Sequence, residues 1–295
     1  MKKNLLAGIS FAFATSLAAQ LPASDVWLFN YSVSGGKYVF HEGLNISNHP
    51  GYDNQPSFSE NGSYLLWTAQ RDSNETDIFR YELLNHTTAR ITQTPFSEYS
   101  PTYMPGNKYI SAVVVEKDSV QRLWEYNKIS GQGKVLLPKI FGVGYHCWFD
   151  EHSLYLFQVT TPSTLVLVDV NSGMSKTIVS NVGRCMQTFH STKQKLFLYT
   201  VPDTSGCYWI EALDGSGNKV TDFAPIKGVK NSQDFVVDNI GNIFMAQGTS
   251  LYMRKIETNS DWQLVTDFAS QGLHNITRLA ISPDGHHFAM VDNTN

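Results

Sequence analysis

QPSFSENGSYLLWTAQRDSNETDIFRYEL, residues 55–83, sets three short β-type runs one after another. Pro56-Ser57-Phe58-Ser59 begins a strand, Glu60-Asn61-Gly62 is a tight turn that needs φ > 0 at Gly62, and residues 63–68 are rich in aromatic and β-favouring side chains. After a polar loop, Asp77-Ile78-Phe79-Arg80-Tyr81 alternates apolar and polar with period two. Strands of this length joined by such turns make up three quarters of a four-stranded propeller blade.

The pattern recurs. Third strands of successive blades are expected to start at Asp25-Val26-Trp27, Asp77-Ile78-Phe79, Arg122-Leu123-Trp124, Thr164-Leu165-Val166, Cys207-Tyr208-Trp209 and Ser250-Leu251-Tyr252. After a longer first interval the spacing settles at about 42 to 45 residues, the length of one blade. Turns at Ser34-Gly35-Gly36, Asn85-His86, Ser130-Gly131, Asn171-Ser172-Gly173, Asp214-Gly215-Ser216-Gly217 and Asn259-Ser260-Asp261 lead into fourth strands. First and second strands fall within 101–115, 147–158, 187–200, 235–246 and 279–291. The chain thus begins with a third and fourth strand and ends with a first and second, so its two ends should share one blade. Residues 21–295 are expected to form an all-β, six-bladed propeller whose closure removes exposed sheet edges.

The spacing P-x-F-S-x-x-G, an aromatic strand, Arg71 in the loop and Asp77-Ile78-Phe79 in the next strand resembles the WD40-like repeat of the TolB propeller family, and Ile281-Ser282-Pro283-Asp284-Gly285 matches the same turn. The resemblance implies the propeller fold. TolB itself carries an additional α/β domain, and propeller peptidases a hydrolase domain. A six-bladed ring of this length is expected to leave no room for either, which detaches this chain from the Tol-Pal role and from peptidase activity.

Met1-Lys2-Lys3, an apolar run over residues 5–17 and the small Ala18-Ala19 read as a bacterial signal peptide spanning residues 1–20, which implies a periplasmic or secreted protein. No stretch is apolar for long enough to suggest a membrane span. Lys and Arg are neither in excess nor clustered at a net charge of -4, which excludes an electrostatic footprint for nucleic acid. The spacing of Cys147, Cys185 and Cys207 matches no zinc pattern, and three free thiols are expected. Were a bridge to form, Cys185–Cys207 is the favoured pair and Cys147–Cys185 the next. Asp118-Ser119-Val120 looks like the short O-glycosylation signal of Bacteroidota exported proteins.

Aligned on the blade register, one column falls just before the core of each innermost strand: Gln55, Ser100, His146, Met186, Asp234 and Arg278, with Glu98, Tyr145 and Arg184 among its neighbours. In a propeller this column approaches the mouth of the central channel. Gln55, Glu98, His146, Arg184, Asp234 and Arg278 are the candidate ligand-binding residues; solvent-facing caps of strand ends are the plainer reading of the same positions. The chain has no nucleophile elbow and no phosphate-cradling glycine loop. A site of His146, His190 and His274 with Gln187, like that of propeller-type pectate-fragment lyases, lacks the surrounding motif. No catalytic residue, metal or cofactor is assigned. The function expected is an exported, non-enzymatic binding scaffold; the alternative is a propeller lyase or hydrolase acting on a saccharide or lactone. The six tryptophans are expected to pack between blades, with a carbohydrate platform as the sharper alternative.

Overall fold

The computed structural model describes residues 21–71, 74–258 and 260–294; the segment read as a signal peptide lies outside them. The strands form six antiparallel sheets, five of four strands and a sixth with one additional short strand, Leu44–Asn45. Numbered in chain order, the blades begin with inner strands Asp53–Phe58, Ser97–Tyr103, Val143–Trp148, Met186–His190, Phe235–Val237 and Ile276–Ile281. Ala269–Gln271, a single 3-10 turn, is the one helical element among the described residues, and no described helix is long and apolar enough to cross a membrane.

Blade 6 takes its inner two strands, Ile276–Ile281 and His287–Asn293, from one end of the sequence, and its outer two, Ser24–Ser34 and Lys37–Phe40, from the other. The register runs unbroken from Ser24 opposite Asn293 to Asn30 opposite His287. Tyr38, in the outermost strand of that blade, also reaches blade 5. Its hydroxyl donates to Asp238 Oδ2 at 2.6 Å and accepts from Asn242 Nδ2 at 2.7 Å.

Period-two alternation gives each sheet two apolar faces, and each face packs on the neighbouring blade. The buried apolar side chains accordingly fall into six clusters, one per interface. Leu66 and Ile78 of blade 1 meet Tyr103 and Val114 of blade 2, while Tyr155 of blade 3 stacks on Phe197 of blade 4 with ring centroids 3.7 Å apart. Burial contributes roughly 1.5–3 kcal/mol per large apolar side chain before conformational entropy is subtracted. Trp67 is fully buried in the cluster between blades 6 and 1, and its indole donates to Asp53 Oδ1 at 2.8 Å. Trp209 departs from the packing expectation. It is only partly buried and lines a groove of about 810 Å³ between blades 4 and 5.

Gly62 has the positive φ its turn requires, +70°. The turn at Asp214 forms, but it leads into less strand than expected. Asp214 Oδ1 accepts from the Ser216 and Asn218 amides, yet only a single bridge, Leu213 to Lys219, extends the hairpin. The outer strand of blade 4 is the two-residue Ile226–Lys227, because Pro225 offers no amide proton and ladder pairing begins only beyond it. All three cysteines are free. Cys185 Sγ is buried 3.2 Å from both the amide and the carbonyl of Phe235 in the next blade.

Candidate functional site

Six inner strands surround the axis, and the first residues of each face the channel. In four of them the ladder is interrupted there, between Asn54 and Ser57, Tyr99 and Thr102, Val143 and Tyr145, and Ile276 and Arg278. A bulge re-aims the side chain it carries. At the equivalent positions of blades 1 and 2 the turn is sharp enough that Gln55 and Ser100 adopt φ of 60° and 52°, uncommon for residues with a Cβ.

The result is a cavity of about 130 Å³ at the channel mouth, lined among others by Gln55, Ser100, His146, Arg184, Asp234 and Arg278. That is space for roughly four water molecules. The channel continues past His146, Met186 and Leu279 and widens to about 670 Å³ at the opposite face.

The charged centre is a carboxylate between two guanidiniums. Asp234, 8% exposed at its side chain, accepts from Arg184 through Nη2 at 2.6 Å and Nε at 3.3 Å, and Arg278 Nη1 lies 3.5 Å from Oδ1. Arg278 Nη2 donates to the Tyr145 hydroxyl at 3.0 Å, and its guanidinium lies 5.1 Å from that ring's centroid, in cation–π range. Burial, the largest influence on Arg278, disfavours its charge, but the attraction of Asp234 helps to hold its pKa above the usual value. Two cations and one anion leave the cluster with an excess positive charge.

His146 contributes no charge. It is buried, and burial pushes its pKa down to about 3, so the imidazole is neutral at physiological pH. Its Nε2 lies 2.7 Å from Ser111 Oγ, which also accepts from Trp148 Nε1 at 2.9 Å and has the Thr102 carbonyl at 3.2 Å. His146 Nδ1 is buried with no hydrogen-bond partner in the structure. Ser100 Oγ is likewise buried without a partner. Gln55 ties blades 1 and 2 together, its Oε1 accepting from Thr68 Oγ1 at 3.1 Å and from the Ser100 amide at 2.7 Å.

Glu98 is the one candidate the structure places elsewhere. It is fully buried between blades 1 and 2, accepting hydrogen bonds from Thr94, from Tyr126 at 3.1 Å and from Thr92 at 3.2 Å. Glu98 and Ser100 share a face under strict alternation, but the bulge after Tyr99 turns Ser100 to the channel and leaves Glu98 in the blade. Two residues that matter here were not among the candidates. Tyr145, named only as a neighbour of the candidate column, lines the cavity beside His146, just past the register shift between Val143 and Tyr145. Ser111 orients the imidazole from the second strand of blade 2, and no local motif marks it. Among the described residues no group of three or more His, Cys, Asp or Glu is placed to hold a metal ion.

No family model matches the chain, and no curated protein matches it. Solved structures do. A putative TolB from Agrobacterium tumefaciens superposes with a TM-score of 0.66 at 13% identity, covering 93% of this chain and 99% of that one. A gluconolactonase from Xanthomonas campestris gives 0.61 at 8% identity, covering 94% and 99%. A calcium-binding protein, regucalcin, from Agrobacterium tumefaciens gives 0.54 at 13% identity, covering 82% and 91%. At these identities the likeness is one of fold, shared by a TolB and by a lactonase alike.

Proposed function

We propose that this chain is an exported binding propeller, without catalytic activity, that takes its protein partner or envelope ligand at the channel mouth. Export rests on the leader-like residues 1–20, and the TolB-like architecture supports a binding role. The observation that carries the reading is the state of the ionisable groups in the cavity. Asp234 is committed to Arg184 and Arg278, and His146 is neutral, with one nitrogen held by Ser111. A general base needs a free acceptor of suitable pKa within reach of the substrate, and neither group supplies one. Nor does the cavity suit the cation that the regucalcin-like architecture raises as a question: Asp234, its buried carboxylate, is already neutralised by guanidiniums, and hard cations require several oxygen donors.

The second reading is a channel hydrolase or lyase on a lactone or saccharide. It draws on the gluconolactonase neighbour and on Ser100 and His146, two residues of the cavity wall whose Oγ and Nδ1 are buried without partners. Capture from an envelope extract on immobilised protein, run beside a turnover panel of sugar lactones and glycosides, separates the two. Retention of a discrete species with no turnover is expected. Turnover that disappears in His146→Phe sinks the scaffold reading.

A further inference from the structure

The cations at the channel-mouth cavity, Arg184 and Arg278, offer guanidinium N–H groups. Gln55, with its Oε1 occupied twice, has its amide N–H groups left to give. Asp234, the buried acceptor with charge, is committed to the two arginines. Guanidinium and amide N–H groups lining the cavity favour an occupant that brings acceptors. The excess of one positive charge sets the occupant's charge at about minus one, and a planar guanidinium fork fits a planar oxyanion. The volume, 130 Å³, limits it to a small molecule or to one end of a larger one.

We propose that the channel mouth binds a small monocarboxylate carrying further oxygen acceptors, with its carboxylate on the guanidiniums of Arg278 and Arg184 and its hydroxyl or carbonyl oxygens on the Gln55 amide. The assignment rests on the channel mouth being the binding site and adds the class of ligand. Its occupant need not be consumed.

The test is calorimetric titration of the full-length protein with gluconate and with sorbitol, which replaces the carboxylate by a hydroxymethyl group and leaves the other hydroxyls. Gluconate is expected to bind about tenfold or more tightly than sorbitol, and to weaken as salt rises from about 50 to about 500 mM. Arg278→Gln is expected to abolish that preference. The comparison of the two ligands on the native protein needs no variant, so a poorly folding Arg278→Gln leaves the test intact. Equal affinity for the two, no binding of either at millimolar concentration, or inorganic phosphate outcompeting gluconate overturns the carboxylate site. Partner capture that persists without gluconate binding keeps the scaffold and removes this site. Gluconate binding together with lactone turnover keeps the site and removes the scaffold.

Discussion

Glu98 and His146 are buried ionisable groups without a counter-ion, and they tilt the stability profile in opposite directions. Burial raises Glu98 to about 7 from an ordinary 4.5, so the folded state holds a proton that the unfolded state has lost, and stability falls as pH rises from about 4.5 through 7. The full cost above that window is about 3 kcal/mol. Burial lowers His146 to about 3 from 6.5, so there the unfolded state holds the extra proton. Stability then falls as pH drops below 6.5, by about 2 kcal/mol at pH 5. Between about 4.5 and 6.5 the two slopes oppose one another. Urea midpoints across pH are therefore expected to be nearly flat there for the native chain. Glu98→Gln should be more stable above pH 7 and fall steadily from pH 6.5 downward; a uniform loss at every pH would show that its hydroxyl partners need the ionised carboxylate. Asp234→Asn strands two guanidiniums in the cavity wall and is expected to cost about 3 kcal/mol, measured by the same midpoints.

Strands and turns were legible because their chemistry is local. Aromatic and β-branched runs marked the third strands, which begin within a residue of Asp77, Arg122, Thr164, Cys207 and Ser250. The site was legible to the extent that the blade register places one residue per inner strand at the mouth. What escaped were features that depend on a break in period two: the bulge that leaves Glu98 in the blade, and the unpaired run before Ile226. Alternation fixes a face only while the ladder is regular. That unpaired run is expected to show in hydrogen exchange, with amides of residues 221–224 exchanging faster than those of Ser175–Ser180, the outer strand of blade 3; equal protection would mean blade 4 is closed in solution. Turns also carry contacts between blades. Gly131, at φ +67°, would place a Cβ 2.1 Å from the Ile91 carbonyl oxygen of blade 1, so Gly131→Ala is expected to lower stability by at least about 2 kcal/mol, read from thermal melts.

At the scale of the whole molecule, six like interfaces make a ring, and one of the six blades is built from both ends of the sequence. Removing residues 287–293 takes away the partner of Ser24–Asn30 and exposes two strand edges together with the cluster around Phe29 and Phe268. The truncated chain is expected to elute as aggregate or as expanded monomer in size-exclusion chromatography; a compact monomer with native circular dichroism would show that five blades hold without closure. Tyr38→Phe, which removes only the bonds to Asp238 and Asn242, should leave the ring closed and cost about 1–2 kcal/mol.

The partnership of Ser24 with Asn293 also has a consequence in time. The strand made first on the ribosome waits for the one made about 270 residues later, and bringing such distant segments together costs about 5 kcal/mol of chain entropy by the logarithmic loop law. Until then the early strand has no inner neighbour, and five finished blades form an open arc with sticky ends. Growth of the chain, rather than any chemical step, sets the earliest moment at which the channel exists at all. A chaperone that shields the early strand through that interval would act on yield without touching the stability of the finished ring.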